Sequence, residues 1–325
     1  MDNKITKKRL NDMFSYEWIA MLVVIIAVIF VWEVLFGIFS VKLSVGQQFK
    51  YFFDYEVDGS GRSPILYAVS ENQTFSYDII KFEAEDLTEN DTVLISRLKT
   101  QDGDAIFTST AENQGYVRAK TIIDNTDFTV YDFERLLSDA KDYLRTFLKD
   151  EFSGSTADPT VYENLSEEKI ENYFLKRMKS DNRYRKKDAK QSGKEQEKAR
   201  IKKLCREVSD FEYLLGATYG TDIFFRYTRF GQTCEKNPSD SVSANRYAAE
   251  VAAGRENAIY GINMEKLVGG RHSSAEYAKL IDKTDAKDVA LMVFDFRRYQ
   301  PDLQYETISF VNTIVRECSD VLSGR

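Results

Sequence analysis

The sequence predicts a single membrane-crossing helix at the amino end followed by a mixed α/β domain. Three observations carry that prediction. Residues 18–39 form an unbroken apolar run, residues 77–110 pass from strand-like to helix-like and back to strand-like patterning, and residues 289–296 are a short apolar stretch with an amphipathic one after it. Strands that alternate with helices in this way build α/β layers.

The apolar run WIAMLVVIIAVIFVWEVLFGIF has 22 residues and one charge, Glu33. At 1.5 Å per residue it covers ~33 Å, against a hydrocarbon core of ~30 Å. Backbone polar groups in lipid must be satisfied within the segment, so this run is expected to be a helix. Trp18 and Trp32 fall where amphipathic rings favour the two interfaces. Glu33 lies in the last third, from where its carboxylate reaches toward the far headgroups, and a lone helix lines no ion pathway. Lys4, Lys7, Lys8 and Arg9 precede the run, whereas only Lys42 and Lys50 follow closely. The positive-inside bias therefore places residues 1–17 in the cytoplasm and the domain after residue 41 outside the cell. The run is too long for a signal-peptide core and no small-x-small site follows, so an uncleaved, single-pass anchor in the lipid bilayer is expected.

The net charge of −7 and the 13% aromatic content suit a folded domain rather than a disordered tail. Both tryptophans lie in the apolar run. Cys205, Cys234 and Cys318 allow at most one disulfide, which excludes a disulfide-stapled scaffold, and no bridge is expected. The single histidine, His272 in GGRHSS, reads as a solvated loop residue, and without it no Ser-His-Asp or Cys-His set can form. No metal and no cofactor are expected.

The elements follow in order. Residues 41–57 read as a strand and 58–63 as a turn, which lacks the surroundings of a phosphate-binding glycine loop. Residues 63–73 suggest a short helix, and FSYDIIKFEAEDL a second strand. Asn90 or Asp91 caps a helix carrying Val93, Leu94, Ile95 and Leu98. Asp102-Gly103-Asp104 then turns into the strand AIFTST, so Tyr77 to Thr110 reads as a βαβ crossover with parallel strands. Within residues 121–150, Phe133, Leu136, Leu137, Ala140, Tyr143, Leu144 and Phe147 share one helical face. After a loop at 152–160, Ser166, Glu167 and Glu168 open another helix. A third runs from about Glu195 to Leu215, with Ile201, Leu204, Val208, Phe211 and Leu215 on one stripe. Residues 221–254 suggest two helices around Asn237-Pro238, 258–267 a strand, and 289–296 a buried strand. The last helix is expected to start at Gln300-Pro301-Asp302, with Ile308, Val311, Ile314, Val315 and Cys318 on one side. These elements divide the chain into a tail (1–17), the span (18–39), a first α/β lobe (41–150), a helical region with a basic tract (151–257) and a strand–helix part completing the α/β domain (258–325).

Residues 176–206 hold fourteen Lys or Arg against four Asp or Glu. Nucleic acid, an anionic lipid or wall-polymer surface, and plain solvent at a helical hairpin are the three readings of such a tract. A domain outside the cell meets no genome, so no nucleic-acid partner is expected. Arg183, Arg185, Lys186 and Lys187 are the candidate contacts to an anionic surface.

YDIIKFEAEDLTENDTVLISRLKTQDGDAIFTS resembles the first lobe of an extracellular, type 2 periplasmic solute-binding protein of a bacterial ABC importer. Asp102, Gly103, Asp104, Ala105 and Ile106 stand where that family has a helix of the LxxxLxxGDxxDVI kind running into a short strand. YGINMEKL resembles the strand that crosses back between the lobes, and VALMVFDFRRYQPDLQYETISFVNTI the late strand and its helix. The likeness covers about half of the domain, in pieces, and implies two lobes and a binding role in transport. It departs from the family in its anchor, a helix instead of a lipidated cysteine, in its shorter domain, and in having no tryptophan there to stack on a sugar ring. No ligand residue is carried over. The resemblance thus implies a membrane-anchored extracytoplasmic binding protein, not an enzyme, whose partner is a small solute or a membrane or envelope protein. An envelope scaffold or assembly protein is the alternative. A carboxylate-dependent hydrolase has only the 52 acidic residues in its favour, and nothing singles out a pair.

Overall fold

The computed structural model describes residues 7, 18–39, 48–54, 81–87, 91–100, 102–113, 116–125, 130–149, 164–179, 184–218, 221–227, 258–267, 288–294 and 305–322. The chain divides into residues 1–42 and 43–325. In the first unit, Trp18–Phe39 is the helix α1. Its side chains from Trp18 to Phe36 are exposed except for half-buried Met21, and Phe30 and Trp32 are 66% and 68% exposed. Among the described residues it is the one helix long and apolar enough to cross a membrane, a length that also suits a signal segment.

The second unit contains β1 (Gln48–Asp54), β2 (Lys81–Asp86), α2 (Asp91–Lys99), β3 (Ala105–Ser109), a small hairpin of β4 (Glu112–Asn113) and β5 (Tyr116–Val117), and α3 (Arg118–Asp124). It continues with α4 (Phe133–Arg145), α5 (Glu167–Arg177), α6 (Lys187–Ala217), β6 (Phe224–Tyr227), β7 (Ala258–Asn263), α7 (Met264–Leu267), β8 (Val289–Val293) and α8 (Glu306–Cys318). Six strands form one sheet in the order β2-β1-β3-β8-β7-β6. The first three are mutually parallel, and each strand from β8 onward opposes the one before it in that order.

Aromatic alternation explains β1. Phe49, Tyr51 and Phe53 point to one face and Phe52 to the other, and all four are buried. On the first face α4, α6 and α8 cover the sheet, with the Phe310 ring 4.9 Å from Phe49. On the second face α2 and α3 cover it through Leu94, Leu98, Ala119, Ile122 and Ile123. A sheet buried on both faces needs strands apolar on both, and β8 (VALMV) is buried at every position.

The expected βαβ crossover of parallel strands is present: β2 and β3 run parallel, α2 lies between them in sequence, and β1 lies between them in the sheet. Other expectations are corrected. Among the described residues the first strand is Gln48–Asp54, within the predicted 41–57. Residues 121–150 hold the expected amphipathic helix, α4, after the end of α3. α3 ends at Asp124, and α4 starts afresh where the Asp132 carboxylate accepts the N–H groups of Glu134 (2.9 Å) and Arg135 (3.4 Å). Its predicted face is buried at Phe133, Leu136, Ala140 and Leu144. Ser166 caps α5 as expected, accepting the Lys169 N–H. α6 begins at Lys187, eight residues before the predicted Glu195; these turns carry no apolar stripe, and their contacts to α5 include Gly193 under the Phe174 and Tyr184 rings and Lys194 paired with Glu171.

Residues 224–227 are a strand and not part of a helix, since pairing with β7 buries Phe224, Phe225 and Tyr227. A strand of the common sheet therefore lies within the region expected to be helical. The strand at 258 stops at Asn263 and gives way to the helical turn α7. The strand at 289 stops at Val293, and Phe294 bridges to Val130. Tyr305, at φ +65°, precedes the last helix, which starts at Glu306, after the expected Gln300-Pro301-Asp302. The expectations for 58–63, 63–73, 152–160, Asn237-Pro238 and His272 lie outside the described residues.

Candidate functional site at the carboxyl edge of the parallel strands

β1 is flanked by the two strands that follow it in sequence, β2 on one side and β3 on the other. Connections therefore diverge between β1 and β3, and in open α/β sheets ligands bind beyond the carboxyl ends of strands at such a switch point. Asp54 ends β1 and is paired in register with Thr108 near the end of β3. The β4–β5 hairpin reverses the chain and delivers Arg118, the first residue of α3, to the same place. Arg118 Nε and Nη2 donate to Asp54 Oδ2 at 2.7 Å and Oδ1 at 3.2 Å, and Thr108 Oγ1 donates to Oδ2 at 3.0 Å. The Asp54 side chain is 3% exposed and that of Arg118 19%. Two strand ends adjoin them on the same edge. Thr110 N donates to the Asp288 carbonyl at 2.6 Å, and Asn263 Nδ2 to the Asp222 carbonyl at 2.8 Å.

This arrangement favours recognition over proton transfer. A carboxylate that accepts a bidentate guanidinium and a hydroxyl is a poor base and nucleophile, but it fixes the guanidinium plane rigidly.

The residues that carried the family resemblance lie at the opposite edge. Asp104 N donates to the Lys50 carbonyl at 2.7 Å, Lys50 N donates to Asp104 Oδ2 at 2.9 Å, and Phe294 N donates to the Asp104 carbonyl at 3.0 Å. Asp104 thereby ties β1, β3 and the end of β8 together. Burial pushes its carboxyl up to about 7, although the Lys50 N–H works in the other direction. Asp102 accepts Lys50 Nζ at 2.9 Å and Arg97 Nη1 at 2.6 Å, and Arg97 also reaches Glu85 at 3.3 Å. Gly103 has φ +148°, and a Cβ there would lie 2.2 Å from the Phe52 ring. The Asp102–Ile106 motif thus shapes the start of β3.

A second polar cluster holds the helical layer. Arg200 is wholly buried, and its Nε and Nη2 donate to Glu197 at 3.1 and 3.0 Å. Nη2 also donates to the Tyr143 hydroxyl at 2.6 Å, and Nη1 lies 3.7 Å from Glu306. Burial alone would push the Glu197 carboxyl up, but Arg200 and Arg177 reverse that and hold it below the usual range. Arg316 of α8 reaches Glu207 and Asp210 of α6 at 3.1 and 2.5 Å.

The other sequence candidates are dispersed. Trp18, Trp32 and Glu33 lie on α1, exposed, while Arg185, Lys186 and Lys187 are exposed at the entry to α6, and Arg183 is outside the described residues. Cys205 and Cys318 are buried free thiols that burial pushes up to about 12, and Cys234 is outside the described residues. Among the described residues no group of three His, Cys, Asp or Glu is placed to hold a metal ion. Sequence reasoning missed Asp54, Thr108 and Arg118, which register and a hairpin bring together across 54 and 64 residues. No protein-family model, curated protein or solved structure matches this chain.

Proposed function

We propose that this is a membrane-anchored extracytoplasmic binding protein that takes its ligand beyond the carboxyl ends of β1 and β3. The observation that supports this reading is the Asp54–Arg118–Thr108 cluster at the switch point of a two-layered-over sheet, oriented for recognition and saturated against acid–base work. Residues 18–39 are retained as the anchor, with the amino end inside and the domain outside, following the basic bias of residues 4–9. A small solute fits the resemblance of residues 77–110 to importer-linked solute-binding proteins. The resemblance also implies two lobes, while the described strands β1–β3 and β6–β8 share one sheet. A protein of a transport or envelope system is the second reading, favoured by the lack of any tryptophan after Trp32 for stacking on a sugar.

Thermal melting of the full chain in detergent against a library of sugars and peptides tests the proposal. A ligand at about 100 times its Kd adds ~2.7 kcal/mol, which moves the midpoint by roughly 5–10 °C for a domain of this size. The shift is expected to vanish in Arg118→Gln, referenced to that variant's own unliganded midpoint. No shift with any compound would overturn the small-solute reading, and a shift that persists in Arg118→Gln would move the site elsewhere.

A further inference from the structure

The basic tract is sorted by position. Its inner part is neutralised within the α5–α6 hairpin, where Lys194 reaches Glu171 at 2.7 Å and Lys198 reaches Glu195 at 2.8 Å and Glu167 at 3.3 Å. The outer part is different. Lys176, Lys179, Arg185, Lys186, Lys187 and Lys190 are exposed, and none has a carboxylate partner among the described residues. Asp188 is the one acid in the first turn of α6.

This tip is held in shape. The Tyr184 ring meets the Phe174 ring edge-on at 5.0 Å, and both close over Gly193, where a Cβ would come 2.3 Å from Phe174. The charges are uncomfortable there on their own. Like charges repel, and Lys186, Lys187 and Lys190 sit at the positive end of the α6 dipole.

We infer that this hairpin tip docks on the anionic phospholipid headgroups of a bilayer. Each basic residue near an anionic leaflet contributes roughly a five-fold preference, so a cluster of six suffices where single residues do not. The inference rests on α1 being retained as a span, which makes the encounter intramolecular and raises its effective concentration. Single-stranded nucleic acid is disfavoured, because binding it needs aromatic rings open for stacking and Tyr184 is packed against Phe174.

The test uses the full chain carrying Ser192→Cys and Cys234→Ser, labelled at position 192 with an environment-sensitive fluorophore. It is reconstituted in nanodiscs of phosphatidylcholine alone or mixed with phosphatidylglycerol. Quenching by a headgroup-borne spin label is expected only in the anionic discs, reversed by high salt. In Arg185→Gln/Lys186→Gln/Lys187→Gln/Lys190→Gln the ratio of docked to undocked tip is expected to fall ~100-fold or more. Equal quenching in both lipids, quenching that survives in the four-fold variant, or docking that appears only with a second protein would overturn the inference. Failure of the chain to stay with the discs would instead remove the span, and this inference with it.

Discussion

Replacing Arg200 with methionine is the most informative perturbation of the helical layer. In the native protein one guanidinium serves Glu197 through two hydrogen bonds, Tyr143 through a third, and Glu306 at 3.7 Å, with Arg200, Glu197 and Glu306 all fully buried. Methionine preserves much of the volume but takes the guanidinium away from two buried carboxylates, of which Glu197 keeps Arg177 at 3.0 Å. Removing one partner of a buried ion pair costs ~3–5 kcal/mol, and at about 2–4 °C per kcal/mol the midpoint should fall by roughly 10 °C. Urea and thermal unfolding followed by circular dichroism measure this directly. Neutralising the two buried acids in Arg200→Met/Glu197→Gln/Glu306→Gln is expected to restore at least half of the loss. The sign with pH is also fixed. The Glu197 carboxyl is held below its unfolded value, so its contribution is present above the unfolded value and disappears as pH falls, and the gap between native and Arg200→Met should narrow under acid. A loss under ~1 kcal/mol, or a triple variant no more stable than the single one, would refute the assignment of this network as the lock between α4, α6 and α8.

Three further outcomes are expected. Asp104, raised to about 7 by burial, binds a proton in the folded state that the unfolded chain has released, so stability should decline between roughly pH 4 and 7 and then level off. Asp104→Asn should remove that decline and leave the protein more stable than native at pH 8 by up to ~4 kcal/mol, read from urea midpoints at several pH values. Gly103→Ala should cost ~2–5 kcal/mol, from a left-handed φ and a Cβ driven into Phe52, with chemical denaturation as the check and a loss under ~1 kcal/mol as the contradiction. Oxidants should not join Cys205 to Cys318 in the folded protein, because both thiols are buried and pushed up to about 12; mass spectrometry after mild oxidation of the native state should find both reduced.

What was legible in the sequence was whatever local chemistry determines. The α4 face could be read because Phe133, Leu136, Ala140 and Leu144 recur at helical spacing, whereas its capping Asp132 came only with the structure. β8 announced itself as five consecutive apolar residues. The short strand β6 did not, since its four residues owe their state to pairing with β7 across more than thirty positions of chain. The first turns of α6 were hidden because no apolar periodicity marks them, and their contacts to α5, Gly193 under Phe174 and the Lys194–Glu171 pair, are set by the hairpin. The cluster at the ends of β1 and β3 was invisible for a related reason. Asp54, Thr108 and Arg118 are ordinary residues in sequence, and only parallel register and a hairpin reversal bring them within hydrogen-bonding distance.

Membrane anchoring and orientation are measured together by treating intact cells with protease, extracting their membranes with alkaline carbonate and determining the mass of the untreated chain. The expected chain still carries residues 1–39, stays in the carbonate pellet, and loses its domain after residue 43 to external protease. A chain that begins beyond Phe39, washes off with carbonate, or keeps its domain through protease treatment of intact cells would contradict that anchoring and orientation.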